Sequence, residues 1–507
     1  VSGLPARVSV DPAFVVAAVN RRLFGSFVEH MGRCVYTGLY EPGHPRADAD
    51  GFREDVLELV RELGVTTVRY PGGNFVSGYR WEDGVGPRED RPTRLEPAWR
   101  SVETNAFGLG EFMRWVEQAG VEPMIALNLG TRGIQEAMDL LEYANHPCGT
   151  ALSDLRVAHG APEPYGIRLW CLGNEMDGPW QLGHRTAEEY GRLAAETARA
   201  MRQLDPDLEL VACGSSSRDM PTFGAWEATV LEHTYDVVDH ISAHAYYQLE
   251  GDDHASFLAS SADMDRFIEQ VVATADHVGA RLGSDRRIDI SFDEWNVWYL
   301  DQWQEQEHTP TDRWEVAPRR SEDTYTLLDA VVVGSLLITL LRHADRVTAA
   351  SQAQLVNTLS LIRTEPGGPA WRQSTFHPFA LTSRHATGTV LDLRVQAPTL
   401  QTRRHGEVPV LDAVATHDPD AGRLAVFVVN RHPTETVTLA TGLHGLGGAT
   451  LVEAVVLSGP DPTAANTQQD PDRVVPHEHP HADVVDDELR AELPPASWSM
   501  FLLDTSR

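Results

Sequence analysis

Trp170-Cys171-Leu172-Gly173-Asn174-Glu175 is the stretch whose reading decides the fold. Tyr165-Gly166-Ile167-Arg168-Leu169, just before it, reads as a short β-strand, and Gly178-Pro179, just after it, stops the extended run. Asn174 and Glu175 therefore sit side by side at the C-terminal end of a strand. A second carboxylate occupies the same kind of place. Ile288-Asp289-Ile290-Ser291-Phe292-Asp293-Glu294-Trp295 alternates and then ends in Glu294, followed by Asn296 and aromatic residues. Two strand-end glutamates far apart in sequence face one another when their strands belong to one closed sheet. A (β/α)8 barrel does this and carries its active site on the C-terminal rim. Two carboxyls flanking a bond are the apparatus of glycoside hydrolysis.

Outward from these two points the chain alternates. Strands are expected at 23–29, 66–70, 122–128, the Glu175 strand, 208–213, 238–246, the Glu294 strand and 346–350. Helical patterns fall at 52–63, 109–119, 134–144, 186–204, 263–278 and 323–341. Thr186 and Glu189 have capping-box spacing at the start of one of them. Eight strands separated mostly by helices give a parallel barrel. The run Val331–Leu341 is very apolar, too short to cross a bilayer, and reads as buried. From about Phe379 the period becomes that of strands alone, with strands at 408–416, 423–430, 436–439, 449–457 and 498–503. The expected class is α/β: a (β/α)8 TIM barrel with a C-terminal β-sandwich, jelly-roll-like. Residues 1–19 supply N-terminal strands that join the sandwich, 20–383 the catalytic barrel, and 384–507 the sandwich.

With 507 residues the chain is long enough for a barrel and an accessory domain. Its formal net charge of −32 argues against nucleic acid or an anionic membrane as partner. The four cysteines, Cys34, Cys148, Cys171 and Cys213, match neither a zinc pattern nor a disulfide framework. Buried thiols fit a reducing compartment, and residues 1–7 have no apolar signal core, so the expected location is cytoplasmic. No cofactor is expected. His240 and His244 lie four apart on one strand face, but no third metal ligand of the right kind is evident in the sequence. His477, His479 and His481 beside Pro480 read as an exposed polar loop. Pro71-Gly72-Gly73-Asn74 lacks the spacing of a phosphate cradle.

The two glutamates need opposite protonation states, and two carboxylates a few ångströms apart push one pKa up and leave the other ionised. A lone strand-end Glu reads equally as a rim salt bridge. Asn174 beside Glu175, with Glu29, Arg69, Asn74, Asn128, His244, Tyr246 and Gln354 after other strands, changes that: together they make a polar pocket of the kind sugars need. Trp81, Trp99, Trp180, Trp295, Trp298 and Trp303 fall in loops or at strand ends, where an indole face suits sugar C–H groups.

Gly25-Ser26-Phe27-Val28-Glu29-His30, Arg69-Tyr70-Pro71-Gly72-Gly73-Asn74-Phe75, the run Trp170–Trp180 and Asp293-Glu294-Trp295-Asn296-Val297-Trp298-Tyr299 resemble glycoside hydrolase family 51, the α-L-arabinofuranosidases. The resemblance is strong from about residue 8 to 385. It implies a retaining enzyme in which Glu175 is acid/base and Glu294 nucleophile. Glu29, Asn74, Asn174 and Gln354 would hold furanose hydroxyls. Arg69, Tyr246 and His244 would orient the nucleophile, with Tyr246 also at the substrate, and Trp99 and Trp298 would border the leaving group. The implied partner is an arabinofuranose-containing oligo- or polysaccharide, and the implied assembly a homo-oligomer, a hexamer. A barrel glycosidase for another sugar (an endo-glucanase or xylosidase) would keep both glutamates and differ only in the pocket. A non-catalytic carbohydrate-binding barrel would be expected to have lost one of them.

Overall fold

The computed structural model describes residues 3–307 and 314–506. Eight parallel strands close into a barrel: β1 Gly25–Phe27, β2 Thr67–Tyr70, β3 Glu122–Ala126, β4 Leu169–Leu172, β5 Glu209–Ala212, β6 His240–Tyr247, β7 Asp289–Val297 and β8 Val347–Gln352. Each neighbours the next in sequence, and β8 closes on β1 through Ser351 opposite Gly25 and Gln352 opposite Ser26. Helices Glu54–Leu63, Leu109–Ala119, Ile134–Asn145, Ala187–Leu204, Ser261–Leu282 and Leu327–Arg342 cover it with their apolar faces. Thr186 caps its helix as its spacing predicts, accepting from the Glu189 backbone N–H.

Several local expectations are corrected. The strand expected at 165–169 lies at Leu169–Leu172 instead. Gly166 turns the chain with φ +64°, and Asn145 holds both the N–H and the carbonyl of Ile167, so no neighbouring strand pairs there. Helix Ala225–Thr234 occupies the β5–β6 connection, and Ala151–Ala158 precedes β4; neither shows clear periodicity in sequence. Helix Phe376–His385 continues beyond Phe379, burying Phe376, Phe379 and Ala380 at helical spacing. The run 408–416 is two strands broken at Val410. Gly406–Pro409 pairs back on Thr399–Thr402 as a separate hairpin, while Leu411–Asp418 pairs with Arg423–Asn430.

The C-terminal region packs a five-stranded sheet on a seven-stranded one. Strand Leu4–Val10 belongs to the first, parallel to Val437–Leu443 and antiparallel to Arg394–Gln396. Strand Arg423–Asn430 explains how this layer meets the barrel. Its Leu424, Val426 and Val428 face the inter-sheet core, whereas Ala425, Phe427 and Val429 join the barrel core. A strand buried on both faces reads as a continuous apolar run. The apolar helix Leu327–Arg342 fills the space between: every residue from Leu327 to Leu341 is buried. Asp412, fully enclosed at this junction, accepts from Arg431 (2.5 Å), Arg342 (2.8 Å), Ser335 (2.6 Å) and Ser261 (3.2 Å).

Candidate active site

The loops after β1, β2 and β8 build one side of the rim. Glu29 follows β1 by two residues, and its Oε1 accepts from the Phe75 backbone N–H (3.0 Å) and the Trp99 indole (2.6 Å). Gln354 donates to Oε2 (2.9 Å), while its own amide oxygen is buried with no partner. Burial pushes the Glu29 carboxyl up to about 8, against the bond from Phe75. The Gly72 of the Pro-Gly-Gly-Asn run makes this contact possible. It has φ +92°, and a Cβ there would lie 2.2 Å from the Phe27 ring and 2.5 Å from Glu29 Cβ. Asn74 follows and accepts from the Asn174 amide at 3.5 Å.

Arg69 on β2 crosses the barrel mouth. It donates to Glu294 Oε1 (2.8 Å) and Asn174 Oδ1 (2.7 Å), tying β2 to β7 and to the loop after β4. Glu294 lies within β7, three residues before its end, rather than beyond it. On β7 two residues separate Ser291 from Glu294, whereas one separates their partners Ser242 and His244 on β6. This bulge breaks the alternation that would send Asp293 and Glu294 to opposite faces. Both carboxylates therefore reach His244: Asp293 Oδ1 lies 2.9 Å from Nε2, and Glu294 Oε2 lies 3.6 Å from Nδ1. Tyr246 donates to Glu294 Oε2 (2.8 Å).

Glu175 completes the set. Its backbone is left-handed, φ +45°, a conformation costing a non-glycine residue about 1–2 kcal/mol. This turn aims the carboxylate at His244, with Oε1 2.8 Å from Nδ1. Trp180, half exposed, folds back over Gly178 and donates its indole N–H to Glu175 Oε2 (2.7 Å); a Cβ at Gly178 would strike that ring at 2.5 Å. Burial lowers the affinity of His244 for its proton, but Glu294, Asp293 and Glu175 outweigh it and hold the imidazole cationic well above its usual range. Burial raises Asp293, and the Arg69 and His244 cations reverse this and keep it low. Burial and the nearby Glu175 raise Glu294 against the pull of His244 and Arg69.

Other candidates fall elsewhere. Asn128 is a loop brace, donating to Tyr79 O and Thr131 Oγ1 while accepting from the backbone of Gly130 and Thr131. Trp81 packs on Tyr143, and Trp295 is buried within β7. Trp298 meets Tyr246 edge-on, and Trp303 bridges Trp298 and Trp99 with ring centroids 5.8 and 6.1 Å away. His240 lies at the opposite end of β6 from His244 and pairs with Thr348. Sequence reasoning misses Asp293, because strict alternation turns it away, and Gln181, which donates to Ser77 and braces Asn174 (3.5 Å). It lists Trp180 only among loop tryptophans; the Gly178 before it is the available signal.

One ligand atom each from Glu175, His244 and Glu294 lie within 4.8 Å of one another. Their lone pairs are already engaged: His244, as a cation, offers protons on both ring nitrogens. The arrangement can hold and pass protons and place two carboxyls across a small ligand, on a barrel rim ringed with indoles and amides.

Those features define a carboxylate glycoside hydrolase of the barrel class. Two α-L-arabinofuranosidase domain models match the sequence, one described as domain 1 over residues 59–263 and one as the C-terminal domain over 293–497. The chain is 62% identical to an intracellular exo-α-(1→5)-L-arabinofuranosidase of Streptomyces lividans, over 97% of this chain and 74% of that protein. It is 57% identical to an exo-α-(1→6)-L-arabinofuranosidase of Bifidobacterium longum, over 97% of this chain and 96% of that one. A solved family 51 α-L-arabinofuranosidase from Bifidobacterium longum superposes with a TM-score of 0.95 at 48% identity, covering 99% of this chain and 100% of the other. The chain belongs to glycoside hydrolase family 51, the α-L-arabinofuranosidases.

Proposed function

We propose that this chain releases terminal L-arabinofuranose from arabinan, arabinoxylan or arabino-oligosaccharides by an exo-acting, retaining double displacement. The observation that carries the retaining reading is the separation of the carboxyls. One oxygen of Glu175 and one of Glu294 lie within 4.8 Å of each other, which supports the close carboxyl pair, about 5–5.5 Å apart, of retaining glycosidases. Glu294, held by Arg69 and Tyr246, attacks the anomeric carbon. The glycosidic bond breaks, and the Glu175 proton goes to the leaving oxygen. Water then gives its proton to Glu175 and its oxygen to the anomeric carbon, freeing Glu294. Glu29, Asn74, Asn174 and Gln354 hold the sugar hydroxyls. Arg69, Tyr246 and His244 fix the nucleophile, and Trp99 and Trp298 border the site. The relatives named above carry both (1→5) and (1→6) linkages in their names, which supports arabino-oligosaccharides as substrates. The word intracellular in one of those names, together with buried free thiols at Cys34, Cys171 and Cys213, supports a cytoplasmic location. The family resemblance supports a hexamer.

The test uses Glu175→Ala. A nitrophenolate leaves without a proton, so this variant should form the glycosyl-enzyme from nitrophenyl arabinofuranoside at a near-normal rate and then stall. Loss of acid/base help should cost about 10²–10⁴-fold on the affected step. Azide should relieve the stall and give arabinosyl azide of retained configuration. Rescue of Glu294→Ala instead, with an inverted product, would exchange the two roles, and a first product of inverted anomeric configuration from the unsubstituted enzyme would end the retaining reading.

A further inference from the structure

The connection from β2 to helix Leu109–Ala119 carries a hairpin that enters the site only by its tip. Its strands, Arg94–Glu96 and Ser101–Glu103, pair antiparallel with Glu96 opposite Ser101. Between them Pro97-Ala98-Trp99-Arg100 turns the chain. Trp99 reaches inward: its indole N–H meets Glu29 Oε1 at 2.6 Å, and its ring packs with Met31 and Phe75.

Glu96 shapes that tip. Its Oε1 accepts from the Ala98 backbone N–H and its Oε2 from that of Trp99, both at 2.7 Å. One N–H at each oxygen fixes the carboxylate across the turn, and with it the direction in which the Trp99 side chain leaves the backbone. Arg100, next in the turn, is left-handed with φ +52°, a conformation that persists in a non-glycine residue only where its surroundings impose it. Glu96 itself is 5% exposed, and burial pushes its carboxyl up to about 7 against the two N–H bonds. Both of its oxygens serve the turn, and neither takes a cation. A buried acid so used stabilises poorly, so what it supplies is geometry. The stem of the hairpin is anchored separately. Glu103 meets His30 Nδ1 at 2.8 Å, and Arg94 pairs with Asp83 at 2.9 Å. What Glu96 holds is the tip.

We infer that Glu96 is a positioning residue for the sugar site: it fixes the hairpin tip so that the Trp99 indole stays on Glu29, and Glu29 keeps the orientation that meets the furanose hydroxyls. The inference rests on the arabinofuranosidase reading given above, in which Glu29 holds hydroxyls and Trp99 borders the site. It extends that machinery to a side chain that touches no part of the sugar. The path runs from Glu96 to the Trp99 backbone and from the Trp99 indole to Glu29, whose other oxygen Gln354 holds. A contact with a hydroxyl away from the breaking bond is felt alike by bound substrate and transition state, so its loss belongs in KM.

The experiment is a double-mutant cycle of Glu96→Gln and Trp99→Phe in the full-length enzyme, read as kcat and KM on nitrophenyl arabinofuranoside. Glu96→Gln keeps the shape of the side chain and removes one of the two acceptors. It should raise KM about tenfold, the worth of one charge-assisted hydrogen bond, with kcat within about twofold. Trp99→Phe should raise KM at least as far. Because Glu96 acts through the indole, the double variant should be no worse than Trp99→Phe alone. Should the amide lower the melting temperature, Glu96→Asp, which keeps both acceptor oxygens on a shorter stem, takes its place in the cycle. Losses that multiply in the double variant would overturn the inference, as would an unchanged KM in the Glu96 variant or a loss confined to kcat. Inactivity of the unsubstituted enzyme on nitrophenyl arabinofuranoside would instead bring down the activity itself, a result distinct from all of these.

Discussion

Two of the ionic clusters among the described residues are balanced differently. At the junction of barrel and sandwich, Asp412 and Asp265 face Arg342 and Arg431, with Ser261 and Ser335 filling the remaining positions on Asp412. Charge is matched. On the rim, Glu175, Asp293 and Glu294 face Arg69 and His244, and Glu29 beside them is held by the neutral donors Phe75 N–H, Trp99 and Gln354. Carboxylates outnumber cations two to one, Glu175 sits on a left-handed backbone, and the Gln354 carbonyl has no partner. A cluster kept for cohesion neutralises itself. The rim holds more carboxyls than it can keep ionised, and strain with them, a combination found where proteins bind and react.

If that difference is right, removing a carboxylate should have opposite consequences in the two places. The largest effect falls on turnover. Glu294→Ala should lower kcat/KM by roughly 10⁴–10⁶-fold on every substrate, the scale of losing a covalent nucleophile. Its melting temperature should hold or rise, because an excess charge has gone; a large fall in melting temperature would break the contrast. Asp412→Ala should do the reverse. It strands the buried Arg431 guanidinium and takes one of two carboxylate partners from the part-exposed Arg342, and should cost about 3–5 kcal/mol of stability, with kcat/KM unchanged well below the melting temperature. Urea unfolding read alongside initial rates separates the two variants.

A smaller and sharper contrast lies in pH. Burial raises Asp265 and Asp412, but their His343 and Arg partners prevail, bringing Asp265 to about 2 and Asp412 below its usual range. Their stabilisation is present above the ordinary value of 3.8 and is lost as pH falls through the lowered folded values. Glu29 has the opposite sign. Raised from 4.5 to about 8, it favours the folded state below pH 4.5, and that contribution is lost as pH rises through about 8. Glu29→Gln should therefore gain about 1–3 kcal/mol on the native enzyme at pH 8 relative to pH 5. Melting curves at the two pH values decide it; a parallel shift at both would assign Glu29 no titration in this range.

The parts of this site legible in the sequence are those written in local pattern. A strand that ends in a polar residue announces the rim, which is why Glu29, Arg69, Asn174, Glu175 and Glu294 can be picked out one strand at a time. What stays hidden depends on register. Asp293 joins the site only because β7 carries one residue more than β6, and a bulge leaves no mark in the alternation of Ile288–Trp295. Asn128 stands at an equally suitable strand end, yet three bonds within its own loop and one to the Tyr79 carbonyl exclude it, and those partners come from the fold of the loops rather than from their composition. Helix Ala225–Thr234 escaped because it is apolar on more than one face, with no stripe for periodicity to detect.

Strand Leu4–Val10 leaves the ribosome long before its parallel partner Val437–Leu443. At ~5–20 residues per second the first strand waits roughly 20–90 s for the second to be made. The whole barrel is synthesised during that wait and has time to close. The early strand meanwhile carries Ala6, Val8 and Val10, which end in the inter-sheet core, with no sheet to receive them. A nascent chain of this design therefore carries an unsheltered apolar strand while the barrel is made, and its sandwich is complete only when that strand meets its partner.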